Sequence, residues 1–423
     1  MQVTVLKKDR RYDTKNDTFL GIQTYGESND YPQQVMQIVD ASSTGKTCVS
    51  VYAKFIAGRG FIDTNFFGLV VNRKRQTNDY LLSCTTKDLA EFGGFAIHVN
   101  YNRNFLISEV QYIPFEQVRF GKLDGQGKFD KVAIHQDWAK QFIKLHKFSK
   151  DDITIIDFYN PDPEVIASQV EIAGGWDKYK GQVYYYSNEG ERVYPTPLLD
   201  VALTDMNSEE GVSNVSNRNV RNNFLAAGMF LDYGGAPDEN EEQEDTTEED
   251  LLQYQGDENA CKIMYLKIND PEKEPKFVTF KGTNYASEFG ATEKSVQANI
   301  GKVFNQPPVL RAENVSANFG ADVIKNGYNY YNSVTEPERL LLERTFTEIF
   351  SHWFEPLQVS YQINPLSYEV EMTFAERIGT EGVTQLIAIL ESTALTPNNK
   401  RQIIRTLFAP TPEELDGLAP ATI

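Results

Sequence analysis

The sequence predicts an α+β protein of two or three domains. The chain has 423 residues, of which 40% are hydrophobic, 12% aromatic and 24% charged, a composition typical of globular proteins. Apolar residues recur at helical spacing at both ends of the chain, whereas residues 68 to 160 hold short segments rich in β-branched and aromatic residues between Asn, Gly and Pro clusters. Strands and helices that are grouped rather than strictly alternating favour the α+β class.

The first half of the chain predicts three helices and five strands. Two helices lie between Gln33 and Phe61, where Gly58 and Gly60 end the second, and a third covers Asp79 to Phe92. Polar, turn-rich residues 1 to 30 are expected to form a loosely held arm. The predicted strands are GLVVNRK (68–74), GFAIHVNYN (94–102), FLISEVQYIPFEQVRF (105–120), ITIIDFYN (153–160) and GQVYYYS (181–187).

The middle of the chain predicts two helices around a strand-containing insert. The first begins near Leu199 and becomes rich in Asn and Ser, as expected of a helix that bridges domains or packs in an assembly with a polar face to water. Strands are predicted at ACKIMYLKI (260–268) and PKFVTFKG (275–282). The second helix ends before Pro307-Pro308. Its apolar face comprises Phe289, Val296, Ile300 and Val303.

The remaining residues predict a loop followed by helices. Arg311 to Asn332 is rich in Asn, Gly and Tyr and is interpreted as a loop. Thr335-Glu336-Pro337-Glu338 is interpreted as a capping box that opens a long helix. Two later helices are predicted to bury one face each, made of Val383, Leu386, Ile387 and Leu390 in the first and Ile403, Ile404 and Leu407 in the second.

Charge and cysteine content restrict the class of protein. Lys and Arg total 41 against 60 Asp and Glu, a formal charge of -19, so tight binding of duplex DNA is not expected, although DNA could slide over such a surface. Nine acids in residues 238–250 predict a solvated loop without the ligand spacing of a calcium loop. Three widely separated cysteines predict reduced thiols. We expect neither a membrane span nor a signal peptide.

Motifs of catalysis are weak throughout. Residues 43–47 read STGKT, but Asp40 stands where a phosphate-binding loop needs glycine, so a turn linking two helices is the alternative we favour over an NTPase site. The four histidines lack metal-ligand spacing. Asp270, Glu274 and Lys276 lie in a crowded DPEKEPK turn rather than on adjoining strands. We therefore expect no catalytic, metal or cofactor site.

Several phrases, in their order, resemble the portal proteins of tailed bacteriophages. AKFIAGRGF (53–61), DLAEFGGFAIHVNYN (88–102) and IPFEQVRF (113–120) resemble the wing region of that family. NVRNNFLAAGMFLDYGG (219–235) is similar to the passage from the first stem helix into the clip. VQANIGKVFNQPPVL (296–310) is similar to the second stem helix ending at a Pro-Pro turn.

The resemblance implies a portal-like fold with an α+β wing, a two-helix stem, a β-containing clip and a helical C-terminal crown. The implied divisions are an arm (1–30), a wing in two parts (31–196 and 335–377, the second with a long helix and a strand), stem helices (197–223 and 285–307), a clip (224–284), a tunnel-loop region (308–334) and a crown (378–423). The acidic loop 238–250 would lie in the clip.

The resemblance also implies the function of a portal, which is not an enzyme and has no cofactor. Copies would form a ring, a dodecamer, at one capsid vertex, through which double-stranded DNA passes during packaging and ejection. The implied partners are the large terminase subunit, the major capsid protein and head-completion or tail adaptor proteins. Assembly would take place in the host cytoplasm and the product would reside in the virion, with no membrane contact. The alternatives are a ring-forming adaptor or scaffold that conducts no DNA, and an acidic cytoplasmic enzyme.

Three sets of residues are the candidate sites under this resemblance. The stem face described above is expected to pack on the partner stem helix and on an adjacent subunit. The candidates for contact with DNA in the channel are Arg218, Arg221, Arg311, Asn314, Asn318 and Lys325. The candidates for terminase docking in the clip are Tyr233, Asp238, Glu239, Glu241 and Glu242.

Overall fold

The structure is a computed structural model that describes most of the chain. It covers residues 14–17, 19–26, 28–121, 129, 131–138, 150–189, 193–221, 228–232, 263–267, 274–279, 285–311, 321–368, 374–392, 394–408 and 415. Two compact units are present, one made of residues 1–319 and 326–366 and the other of residues 320–325 and 367–423.

Four helices open the first unit: α1 (Tyr31–Ala41), α2 (Ser43–Ala57), α3 (Thr64–Phe67) and α4 (Asn78–Phe92). The buried Ser42 separates α1 from α2, and its hydroxyl accepts a hydrogen bond from the Gly45 N–H at 2.9 Å, which caps α2. Helix α2 ends at Gly58, as predicted. Gly58 has φ +59°, and a Cβ there would lie 2.1 Å from the carbonyl oxygen of Asn364, so both backbone and space require glycine.

A six-stranded sheet packs against these helices. It contains β3 (Gly94–Tyr101), β4 (Ile107–Ile113), β5 (Val118–Phe120), β6 (Lys131–Ile134), β7 (Thr154–Phe158) and β8 (Gln182–Ser187), in the order β4-β3-β8-β7-β6-β5. A two-residue pair, β1 (Asn16–Asp17) and β2 (Ile22–Gln23), precedes α1. Only β7 and β8 are parallel among the paired strands of this sheet. Helix α5 (Pro163–Ala173) lies between them in the chain, as a parallel connection requires.

The strands of the sheet divide their apolar side chains between two clusters. Phe95, Ile97 and Val99 alternate along β3 and belong to the large core shared with the helices. Ala96, on the opposite face, joins a smaller cluster with Val132 and other strand residues. Both faces of the central strand are therefore buried, which explains its nearly continuous apolar sequence.

The later elements include a helix pair around a second sheet. Helix α6 (Leu203–Arg221) follows a 3-10 helix at Leu198–Ala202 and leads to β9 (Gly228–Asp232), β10 (Ile263–Lys267) and β11 (Lys276–Thr279). These strands form a sheet of order β10-β9-β11, in which β10 is parallel and β11 antiparallel to β9. Helix α7 (Tyr285–Val303) follows. Beyond it lie α8 (Ala321–Val334), α9 (Glu336–Phe350), α10 (Phe374–Glu391) and α11 (Pro397–Phe408).

The described part of the predicted arm is bound to the body rather than loosely held. Tyr25 is fully buried, its ring stacks on Tyr194 with centroids 4.2 Å apart, and its hydroxyl donates to the Pro195 carbonyl at 2.5 Å. The buried Arg119 guanidinium donates to both the side chain and the carbonyl of Asn29, at 2.6 and 2.8 Å. The turn-rich composition correctly indicated irregular backbone here, but tertiary hydrogen bonds hold that backbone in place.

Several predicted local structures were wrong. Residues 68–74 form a turn instead of a strand, because the Asn72 side chain accepts from the Gln76 N–H at 3.1 Å and Arg75 adopts φ +60°. Most of the predicted loop at 311–332 is helical from Ala321 onward. Helix α5 and strands β6 and β9 were not predicted, although Asp162-Pro163 is an ordinary helix start.

The predicted capping box at Thr335 was also wrong. Helices α8 and α9 abut, so the Thr335 hydroxyl donates backward to the Tyr331 carbonyl at 3.0 Å instead of capping α9. The described residues of 335–377 contain no strand element, and α10 begins at Phe374, before the predicted crown boundary. In the second unit Leu386 and Ile404 are buried as predicted, whereas Ile387 and Leu407 are 47% and 62% exposed.

Candidate functional site

Helices α6 and α7 leave the core and return to it. Leu203, Met206 and Glu209 are buried at the start of α6, whereas residues 210–218 contain no buried side chain. On α7, residues 291–295 are exposed, and Val296 and Ile300 are buried near its end. Because the buried ends are the beginning of one helix and the end of the next, and the helices contact each other, the pair is antiparallel and its exposed parts adjoin the segment that carries β9 to β11.

The predicted stem face is largely used within one chain. Val296 is 5% exposed and Ile300 is fully buried, and both belong to the large core. Val303 is half-buried, and the side chain of Phe289 lies outside the described residues. Val296 and Ile300 thus have their apolar surface covered within one chain, and the expectation that this face also packs on an adjacent subunit stays a prediction.

Arg311 is bound to α7 rather than presented to a ligand. Its guanidinium donates from Nη1 to the Gln297 carbonyl at 3.2 Å. It also lies over Gly301, where a Cβ would come within 1.3 Å of Nη1. Since Gly301 leaves the space that the guanidinium fills, the Arg311 side chain helps to fix the turn after α7. Its contact with DNA stays a prediction.

The other candidates are only partly described. Arg218 is half-buried on α6, and Lys325 is exposed on α8. Arg221 ends α6, but its side chain lies outside the described residues. The remaining candidates also lie outside them, namely Asn314 and Asn318 for DNA and Tyr233, Asp238, Glu239, Glu241 and Glu242 for docking. Their assignments stay predictions.

A carboxylate of the same chain occupies the N-terminus of α2, where the sequence suggested a phosphate site. Glu209 of α6 accepts from the hydroxyls of Ser42, Ser43 (3.0 Å) and Thr44 (2.6 Å), and from the Thr44 N–H at 3.2 Å. Helix N-termini attract anions through free N–H groups and the helix dipole. Glu209 supplies that anion internally, so residues 43–47 are a helix start rather than a nucleotide site.

Three carboxyl groups lie in or near the core around α4. Asp88 accepts from the Tyr112 hydroxyl at 2.9 Å and from the Phe115 N–H at 3.1 Å, but burial raises its pKa well above the ordinary value. Burial also raises the pKa of Glu116. Burial raises the pKa of Glu91 from 4.5 to about 7, opposed by Lys87 and reinforced by Asp40 and Glu116.

The described residues offer no other centre of chemistry. The His98 ring nitrogen lies 2.6 Å from the Lys180 carbonyl oxygen, and burial lowers its pKa. Within the described part of the chain, no group of three His, Cys, Asp or Glu side chains could hold a metal ion. The described helices are all too short or too polar to cross a bilayer.

The chain is similar to solved structures of gene transfer agent particles. A chain in the neck of a native particle computed with C12 symmetry matches at 14% identity and a TM-score of 0.43, covering 88% of this chain and 93% of that one. A chain in the neck of an empty particle computed with C6 symmetry matches at 13% identity and 0.47, with the same coverage. A chain in the virion of a native particle matches at 14% and 0.43, covering 89% and 94%.

No family model matches the chain, and no curated protein matches it.

We expect Glu209→Ala to destabilise the first unit by about 2 kcal/mol, because the Ser42, Ser43 and Thr44 groups lose their common acceptor. Urea unfolding monitored by circular dichroism measures this. The adjacent Glu210 forms no hydrogen bond or ion pair among the described residues, so Glu210→Ala should change the free energy of unfolding by no more than about 0.5 kcal/mol. Equal effects of the two variants would contradict the stabilising role of the Glu209 contacts with residues 42–44.

We expect Glu91 to make stability fall as pH rises. Its pKa is 4.5 when unfolded and about 7 when folded, so its stabilising contribution is complete below pH 4.5 and is lost as pH rises through 7. Glu91→Gln should therefore flatten the difference between pH 5 and 8 by about 3 kcal/mol. Urea unfolding across that range measures it, with the exposed Glu171→Gln as control. Parallel pH profiles for wild type and Glu91→Gln would contradict the assignment.

Proposed function

We propose that the chain is a portal-type protein, whose copies form a ring that conducts double-stranded DNA at a capsid vertex. The observation that carries this proposal is the antiparallel pair α6–α7, which leaves the core, bears the strands β9 to β11 and returns. Two phrases of the resemblance fall on it, and residues 296–310 are the more specific of them. Residues 219–235 span the end of α6 and β9, and residues 296–310 span the end of α7 and the turn after it.

The polarity of the helix pair supports an assembly with a water-filled channel. Between Glu210 and Arg218, α6 carries mainly Asn and Ser side chains, and Val212 and Val215 are only half-buried, so a single copy does not bury an apolar face there. In a ring, each copy would place one face of the pair on its neighbour and another toward the channel.

The net charge supports conduction rather than tight binding. A chain of charge -19 repels phosphates on average, while a few exposed cations keep the duplex centred. Lys325 is such a cation, exposed on α8. In this proposal a packaging motor docks on the segment between α6 and α7 that carries β9 to β11. The acidic block 238–250 would be the charged part of that docking surface.

The experiment on DNA uses Lys325→Glu in the intact particle. Under this proposal, rings still form, because the side chain is exposed, but the amount of DNA retained per head falls at least about tenfold through phosphate repulsion. Electron microscopy counts rings, and quantitative DNA measurement of purified heads gives retention. The control is Lys178→Glu, another exposed lysine, on the segment after α5. Rings that form with full DNA retention in both variants would favour the ring adaptor without DNA conduction.

The experiment on the acidic block replaces every Asp and Glu in residues 238–250 by Asn or Gln. Ring formation should be unchanged, because a solvated charged segment contributes little to a core. Binding to the large subunit of the packaging motor should weaken and lose much of its dependence on salt. A Gly/Ser replacement of the same length separates the effect of charge from that of length. Unchanged salt dependence would remove the block from the docking surface.

A further inference from the structure

A cleft of about 400 Å³ lies between α1, α2 and α4. Its floor is mainly apolar, formed by Met36, Val39, Val49, Ala53 and Ala57, with Thr86 and Glu91 contributed by α4. Lysines stand around it: Lys46 and Lys54 on α2 and Lys87 on α4 are all exposed. We call this feature the lysine-rimmed cleft. It belongs to neither the helix pair nor the strand-bearing segment.

Glu91 is the mostly buried carboxyl group of the lysine-rimmed cleft. Its side chain is 6% exposed, and it accepts no hydrogen bond and forms no ion pair with any described residue, although Lys46 and Lys87 are close enough to affect it electrostatically. Buried carboxyl groups are usually hydrogen-bonded, because desolvation without a partner is costly. The Glu91 oxygens are not among the described side-chain atoms that are sealed from solvent without a partner, so they reach water through the cleft. A molecule that enters the cleft must replace that water with a hydrogen-bond donor.

The rim carries unbalanced positive charge. Lys46 forms an ion pair with Asp40 at 3.0 Å. Lys54 and Lys87 have no carboxylate within ion-pair distance among the described residues. An occupant of the cleft therefore needs acidic groups for the rim, apolar side chains for the floor and a hydrogen-bond donor for Glu91.

We propose that the lysine-rimmed cleft is a contact site for the acidic surface of a second copy of this chain. The chain has 60 acidic against 41 basic residues, so its own surface complements the rim, and a ring places copies side by side. A nucleic acid fits less well, because its backbone supplies anionic groups for the rim but no apolar side chains for the floor. The inference rests on the proposed function, since it assigns one of the surfaces by which the ring closes.

The test reverses the rim charges in the full-length chain. Lys54→Glu with Lys87→Glu should raise the protein concentration at half-assembly at least about tenfold at low salt, and the difference from wild type should shrink as salt increases. The matched control, Lys178→Glu with Lys180→Glu, makes the same change in net charge at two exposed lysines outside the cleft. Sedimentation velocity measures assembly, and circular dichroism verifies that each variant is folded.

Lysine acetylation of the unmodified protein provides a second readout. Lys54 and Lys87 should react at least about fivefold more slowly in the assembled than in the dissociated protein, whereas Lys178 and Lys180 should react equally in both. If rings form normally after the Lys54/Lys87 reversal and the two lysines show no protection from acetylation, the cleft is not a contact site between copies. The proposed ring itself is unaffected by that result. Closed dimers that depend on the cleft would support the cleft and overturn the ring. A protein that stays monomeric would overturn both.

Discussion

The contact between Glu209 and the N-terminus of α2 determines where the helix pair leaves the body. Glu209 stands on α6 at the last buried position before that helix becomes exposed, and its carboxylate joins three hydroxyls and one N–H of residues 42–44. One turn earlier Met206 packs so closely on α2 that a Cβ at Gly45 would lie 2.8 Å from the Met206 sulfur. A charge satisfied by a helix dipole and a close apolar contact together orient the first turns of α6. The direction of the rest of α6, and of the strands and α7 that follow it in the chain, depends on that orientation.

Arg119 is a second buried charge that is satisfied inside one chain. It is fully buried, and no carboxylate of the described residues accepts from it. Carbonyl oxygens of Glu116, Val118 and Asn29 accept its hydrogen bonds, while the rings of Tyr25 and Trp138 lie 5.6 and 5.4 Å from its guanidinium carbon. Burial lowers its pKa to about 10, so it remains charged at neutral pH. Glu91 differs from Arg119, because no described group bonds to it and its carboxyl group reaches solvent through the lysine-rimmed cleft. That contrast distinguishes a charge sealed inside the core from one that is open to water at the surface.

Local signals in the sequence predicted much of the fold but little of the site. Periodicity and glycine caps located α1, α2, α4 and the ends of α7, because those signals act within one or two turns. Helix α8 was missed because Asn and Gly suggested a loop, although Ile324, Tyr328 and Tyr331 follow helical spacing. The roles of Glu209 and Arg311 were not predictable from spacing, since each depends on a partner surface that tertiary packing creates. For Glu209 that partner is about 165 residues away. One signal was available: Glu209 follows Met206 by three residues, which places a carboxylate on the buried face of the helix.

Three arginines are bound within the chain, so part of its positive charge is not available for contacts with phosphate. Arg119 and Arg311 donate to backbone carbonyls, and Arg339 donates to the Phe55 carbonyl and the Thr335 hydroxyl at 2.8 and 2.7 Å. Guanidinium groups are the side chains best suited to bidentate phosphate contacts, and these three are already engaged. The cations that remain exposed on the described helices α7 and α8 are lysines, such as Lys294 and Lys325, which act on phosphate as mobile point charges. A conduit with an acidic average and lysine contacts would hold a duplex weakly at any one position. In the proposed ring, movement of DNA would follow from the same acidic average charge that disfavours tight binding of a duplex.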